Sequence, residues 1–126
     1  MRLLLDTVIL IYAVESPELL SKRAISSLQD PDNIRELSSI SLAEIAIKSS
    51  AGKLKLSVGM LRQALEDLNI RVLPYTARHA FELFTLDLHH RDPFDRQIIA
   101  QALSEKIPIV TSDRKFHFYK GIHVIW

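Results

Sequence analysis

The chain contains no cysteine, which excludes disulfides and thiolate metal sites and suits a reducing compartment. Only three glycines occur, so no glycine-rich loop is available to cradle a phosphate. Apolar runs stay well short of the roughly 18–20 residues of a membrane span. The first of them, MRLLL, is broken at once by Asp6, and no small-residue cleavage site follows it. A cytoplasmic protein without a membrane segment is therefore expected. A charge excess of one sign is lacking too. Sixteen Lys and Arg face fifteen Asp and Glu, for a net charge of +1. The isoelectric point near 8.1 lies below the roughly pH 9 of strongly basic nucleic-acid binders. Repeats, low-complexity stretches and linkers are also absent, so residues 1–126 read as one domain.

Against these absences stands an apolar content of 48% in 126 residues, enough for one real core. Its distribution alternates between strand and helix patterns. Arg2 to Leu5 is a short buried strand, followed by a helical run from Val8 to Val14. Pro17 opens a second helix whose apolar stripe runs through Leu20, Ala24, Ile25 and Leu28. Asp30-Pro31-Asp32-Asn33 turns the chain. Glu36 to Ser41 is the next strand, with Ser41 as N-cap of a helix that Gly52 stops. Ser57 caps a helix over Val58 to Leu68, and Ile70 to Leu73 is a strand. Thr76 begins a helix through Ala80, Leu83 and Phe84. Asp92-Pro93 starts one that reaches about Lys106. Ile107 to Thr111 and Ile122 to Ile125 are the last strands. Such alternation implies an α/β fold with a mostly parallel sheet and helices on both faces.

Four acids sit where these elements begin or end: Asp6, Glu44, Asp95 and Asp113. Each has an ordinary local reading. Asp6 can cap the following helix. Glu44 lies three residues after Ser41, the spacing of a capping box. Asp95 suits the positive end of its helix, and Asp113 in TSDRK suits a turn. Taken together they say more. Asp6 and Asp113 follow strands, at the edge where ligands bind in open parallel sheets. Asp95 precedes Ile98 and Ile99 by three and four positions, so it shares their inward face. Glu44 is placed similarly relative to Ala43 and Ile47. An inward carboxylate is costly without a partner, and a metal ion satisfies both. All-oxygen ligation suits Mg²⁺ or Mn²⁺. Setting these four acids aside leaves a basic excess of five, so an acidic pocket within a basic rim is hidden by the bland average. Other chemistries fit less well. His89 and His90 are adjacent rather than four apart, H-E-x-x-H is absent, and no G-x-S-x-G elbow occurs.

The segments LLLDT, SLAEIAIK with AGKLKL, HRDPFDRQIIAQA and IVTSDRKF, in this order, resemble a PIN domain, specifically the VapC-like toxin ribonucleases of toxin–antitoxin pairs. The resemblance implies a three-layer α/β/α fold with a central mostly parallel sheet. It implies that Asp6, Glu44, Asp95 and Asp113 form the catalytic metal site, with Thr111 as a supporting hydroxyl. It further implies a homodimer, an RNA substrate and a cognate antitoxin. One position departs: many relatives carry His two residues after the first Asp, where this chain has Val8.

The expected activity is metal-dependent RNA cleavage by water. Asp6 and Asp95 hold the principal Mg²⁺ or Mn²⁺, Asp113 and Glu44 complete the shell, and one of the latter pair accepts the proton. Arg96 is expected to brace a carboxylate. Lys48, Lys53, Lys55, Arg91, Arg114 and Lys115 are candidates for the basic rim. Two alternatives stay open: an inactive module that binds RNA or its antitoxin, and another metal-dependent phosphoesterase.

Overall fold

Leu3, Leu4 and Leu5 are all fully buried, which marks their strand as central and covered on both faces. The computed structural model describes all residues 1–126. It contains strands β1 (Arg2–Leu5), β2 (Ile34–Ser38), β3 (Ile70–Leu73), β4 (Ile109–Val110) and β5 (Val124–Ile125). Every pairing is parallel, in the order β3-β2-β1-β4-β5. Six α-helices connect them: α1 (Thr7–Glu15), α2 (Lys22–Gln29), α3 (Ser39–Ser50), α4 (Val58–Asp67), α5 (Ala77–Phe81) and α6 (Pro93–Glu105). No helix is long and apolar enough to cross a membrane.

Alternation along the strands splits the core in two. Leu3, Leu5, Leu37 and Val110 pack with Ile9, Leu10, Ala24, Ile45 and Leu61 from α1 to α4. Leu4, Ile109 and Val124 face the other way and pack with Ile98, Ile99 and Ala102 of α6. The result is the expected three-layer α/β/α arrangement.

Several boundaries differ from the sequence reading, each for a local reason. The helix expected from Pro17 breaks: Pro17–Leu19 is one 3₁₀ turn, and Leu20 is extended. Ser21 then caps α2, its hydroxyl accepting the Ala24 amide at 3.0 Å. The strand expected over Glu36 to Ser41 lies at Ile34–Ser38, and Ser38 rather than Ser41 caps α3 by accepting from the Ile40 amide. The last two strands shrink to two residues each; Pro108 has no N–H to extend its ladder. The helix after Thr76 tightens to 3₁₀ over Glu82–Thr85, leaving Phe84 85% exposed. Asp92, Pro93 and Gly52 act as expected. Asp92 caps α6, Pro93 is its first residue, and Gly52 follows the end of α3 with φ +73°.

Candidate metal centre

β1 continues into β2 on one side and pairs with β4 on the other, so the chain's direction of travel across the sheet reverses at β1/β4. Clefts form outside the carboxyl ends of strands at such points. Asp6 leaves β1 here, and Thr111 leaves β4 beside it. The Thr111 hydroxyl donates to Asp6 Oδ2 at 2.6 Å, and both residues are buried. Asp6 occupies the N-cap position of α1 but makes no side-chain capping bond. Its carboxylate is turned to the strand end instead, which removes the simple cap reading.

The other acids arrive on separate elements. The Thr7 hydroxyl donates to the buried Ser41 Oγ at 2.8 Å and ties the start of α1 to the first turn of α3. One turn further along α3, this brings Glu44 to the same cleft. The capping box proposed for Ser41 and Glu44 does not form, because the cap is Ser38. Ala43 and Ile47, whose apolar character suggests an inward Glu44, are themselves exposed. Glu44 is nonetheless buried, on a stripe with Ser41 and Ile45. Asp95 stands in the first turn of α6, where the positive helix end favours it. Asp113 follows β4, with its Oδ1 accepting the Lys115 amide at 2.9 Å.

All four expected acids therefore line one cavity of about 330 Å³, together with Asp92 and Lys48. Val8 lines it too and offers no polar atom. Packing carboxylates together shows in their acidities. Burial, then repulsion from Glu44 and Asp113, raises Asp6 to about 6 against the opposing hydrogen bond from Thr111. Burial, then repulsion from Asp6, Asp92, Glu44 and Asp113, raises Asp95 to about 8. Lys48 is the ammonium in the cavity. It lies 2.5 Å from Glu44 Oε2, and that contact raises its own pKa. The second oxygen, Glu44 Oε1, is buried without any donor. A buried carboxylate oxygen without a donor, in a cavity whose acids repel one another, is the donor set a hard divalent cation fits.

Two side chains differ from expectation. Arg96 pairs with no carboxylate. Its guanidinium donates to the carbonyls of Leu86, Asp87 and His90, and so fastens the loop before α6. His90, adjacent to His89 and so lacking metal-ligand spacing in the sequence, is buried, with Nε2 2.8 Å from Asp113 Oδ2 and 2.9 Å from Asp95 Oδ2. Ligand spacing gave no signal for it; the only sequence cue was its place two residues before the Asp92 cap.

Larger hollows lie elsewhere. One of about 610 Å³ between α3 and α4 is lined mostly by apolar side chains such as Leu42, Ile45 and Leu61.

The fold is shared with known structures. A chain of VapBC2 from Rickettsia felis, bound to a DNA fragment from its promoter, superposes with a TM-score of 0.72 at 21% identity, covering 98% of this chain and 97% of that one. A chain of DNA-bound VapBC from Salmonella typhimurium gives 0.66 at 20% identity, with coverages of 98% and 96%. A chain of FitAcB from Neisseria gonorrhoeae gives 0.63 at 22%, with coverages of 97% and 95%. No curated protein matches in sequence. The PIN domain family matches residues 3–121, nearly the whole chain, and the protein belongs to that family.

Proposed function

We propose that this protein is a Mg²⁺- or Mn²⁺-dependent endoribonuclease, the toxin member of a toxin–antitoxin pair. The observation that carries the reading is the convergence of Asp6, Glu44, Asp95 and Asp113, from four separate segments, on one cavity beside the β1/β4 strand ends. PIN domains are generally nucleases, and the similar folds include a member of the VapBC family of toxin–antitoxin systems and a toxin–antitoxin complex.

Asp6 and Asp95 are the principal metal ligands, with Glu44 and Asp113 completing the set. A bound divalent ion supplies Lewis acidity, making an attacking water more acidic and offsetting charge on the scissile phosphate. Thr111 orients Asp6 through its hydroxyl. Glu44, with one oxygen free of protein donors, is placed to accept the water's proton. Lys48, paired with Glu44 at the cavity wall, and the exposed Lys53, Lys55, Arg91, Arg114 and Lys115 are the cations available for contacts with the RNA backbone. Attack by water on phosphorus with departure of the 3′-oxygen leaves 5′-phosphate and 3′-hydroxyl ends, unlike the cyclic phosphate left by attack of the 2′-hydroxyl. The partner is a small antitoxin protein. The exposed, stacked Phe81 and Phe84 rings, 6.3 Å apart, support self-association as a homodimer.

The test is cleavage of a panel of RNAs, single-stranded DNA and small phosphoesters with Mn²⁺. The parent protein should cut RNA, EDTA should stop it, and Asp6→Asn and Asp95→Asn should each slow it by roughly a hundredfold or more. Equal cutting by both variants would refute the site. RNA binding without cleavage by the parent would instead establish a binding module.

A further inference from the structure

His90 has a more defined place than any other histidine in the molecule. Its Nδ1 accepts the Asp92 amide at 3.2 Å. Only one nitrogen of a neutral imidazole carries hydrogen, so these partners assign the proton to Nε2. That N–H donates to Asp113 Oδ2 at 2.8 Å, and Nε2 stands 2.9 Å from Asp95 Oδ2, an approach without a hydrogen bond. The ring stands edge-on to Phe116, with centroids 5.7 Å apart. Its backbone is fixed as well. The Tyr119 hydroxyl accepts the His89 amide at 3.1 Å and the His90 amide at 2.8 Å, and Arg96 takes the His90 carbonyl at 3.1 Å.

Nε2 and one oxygen each of Asp95 and Asp113 lie within 4.8 Å of one another, a grouping that could itself hold a cation. The hydrogen bonds argue against His90 as a ligand. A metal needs an imidazole lone pair. The Nδ1 lone pair is taken by the Asp92 amide, and Nε2 presents a hydrogen. Flipping the ring would cost the Asp92 contact in a buried site.

We propose that His90 is a positioning residue: its Nε2–H holds the Asp113 carboxylate by a hydrogen bond while its ring abuts Asp95 on a different element, and so keeps the two acids in register for a cation that it does not touch. The proposal rests on the reading of these acids as a metal site. It gives the loop before α6 a role. Arg96 and Tyr119 fix the loop, the loop fixes His90, and His90 sets the spacing between the first turn of α6 and the end of β4. Hydrogen-bonding partners of metal ligands act in this way, and their loss typically weakens metal affinity about 10- to 100-fold.

The experiment measures Mn²⁺ affinity by calorimetry, without RNA, for the full-length parent, His90→Phe and His90→Gln. Phe keeps the ring's bulk and loses the donor, whereas Gln retains an N–H near the Nε2 position. The expected result is a loss of about 10- to 100-fold for His90→Phe, and of no more than about threefold for His90→Gln. Pulsed electron paramagnetic resonance of the Mn²⁺-loaded parent should show no nitrogen coupling from a coordinated imidazole. Parent-like affinity in His90→Phe, or such a coupling, would overturn the role while leaving the metal site standing. Absence of Mn²⁺ binding by the parent would overturn both. Should His90→Phe fail to fold, as judged by circular dichroism, the His90→Gln affinity and the parent spectrum decide: a loss beyond tenfold in His90→Gln or a coordinated nitrogen would still refute it.

Discussion

Asp95 ionises near pH 3.8 in an unfolded chain but near 8 in the folded, metal-free protein, because burial and four neighbouring carboxylates disfavour its charge. Below about pH 4 both states hold the proton and the residue costs nothing. As pH rises toward 8 the unfolded chain releases its proton while the folded chain keeps it, so stability falls across that window. Asp6 contributes in the same direction between its ordinary 3.8 and about 6. Asp95→Asn cannot ionise. In EDTA it should therefore melt above the parent at about pH 8, by roughly 4 °C or more, and level with it at about pH 4. Melting curves at the two pH values check this, and an equal offset at both would argue that Asp95 is not repelled by its neighbours. The positions of Asp6, Asp95 and Asp113 were legible because strand ends and an α6 apolar stripe leave few places for them. Glu44 lines the same cavity as the other acids, but the neighbours that suggest its inward face, Ala43 and Ile47, are exposed. His90 was not legible. Its function comes from a loop conformation set by Arg96 and Tyr119, which no local spacing encodes.

Helix α6 runs from the acid cleft to Glu105, which pairs with Arg2 at the start of β1, and its start determines where Asp95 sits. Asp92 Oδ1 accepts the amides of Phe94 at 2.8 Å and Asp95 at 3.2 Å. Asp92 also adds negative charge beside Asp95, so its replacement mixes two effects of opposite sign. Comparing Asp92→Ser with Asp92→Ala separates them, because both lose the charge and only Ser keeps a capping oxygen. The Ala variant should be less stable than the Ser variant by about 1 kcal/mol, or about 4 °C in melting temperature. Chemical denaturation of the two variants measures the difference, and indistinguishable midpoints would mean that the cap does not hold the helix start. At this scale Asp92-Pro93 was readable because cap and first-turn proline agree. The break at Leu20 was not. An apolar stripe continued through Pro17 to Leu28, and only the competing cap at Ser21 ends the first piece. The Ser38 and Ser41 exchange has a similar origin, since serines at 38, 39 and 41 all suit a cap and the strand register chooses among them.

The convergence of distant acids belongs to the whole molecule, because topology alone brings the ends of β1 and β4 side by side and lays α3 and α6 against them. Alternating strand and helix patterns made the parallel sheet and its ligand edge predictable, but the order β3-β2-β1-β4-β5 was not, since strand order depends on contacts between residues up to 105 apart, as in the Thr111–Asp6 bond. A protein built in this way stores repulsion at one end of its sheet, and a divalent ion that binds only the folded state should relieve it. Saturating Mg²⁺ at about 100 times its dissociation constant stabilises by about 2.7 kcal/mol, or roughly 8–11 °C here. The gain should depend on pH. At about pH 5 the Asp95 carboxyl, at about 8, and most of the Asp6 carboxyl, at about 6, hold protons that the ion must displace. At about pH 8 Asp6 is ionised and Asp95 is half so, and the ion meets more negative charge with fewer protons to expel. Millimolar Mg²⁺ or Mn²⁺ should thus raise the melting temperature strongly at the higher pH and little at the lower. Asp95→Asn, with one ligand oxygen fewer and no proton to lose, should show a smaller gain with a weaker pH dependence. Scanning fluorimetry of the parent and variant at both pH values reads this directly. A parent gain that is absent, or the same at both pH values, would show that the four carboxylates do not act as one cation site.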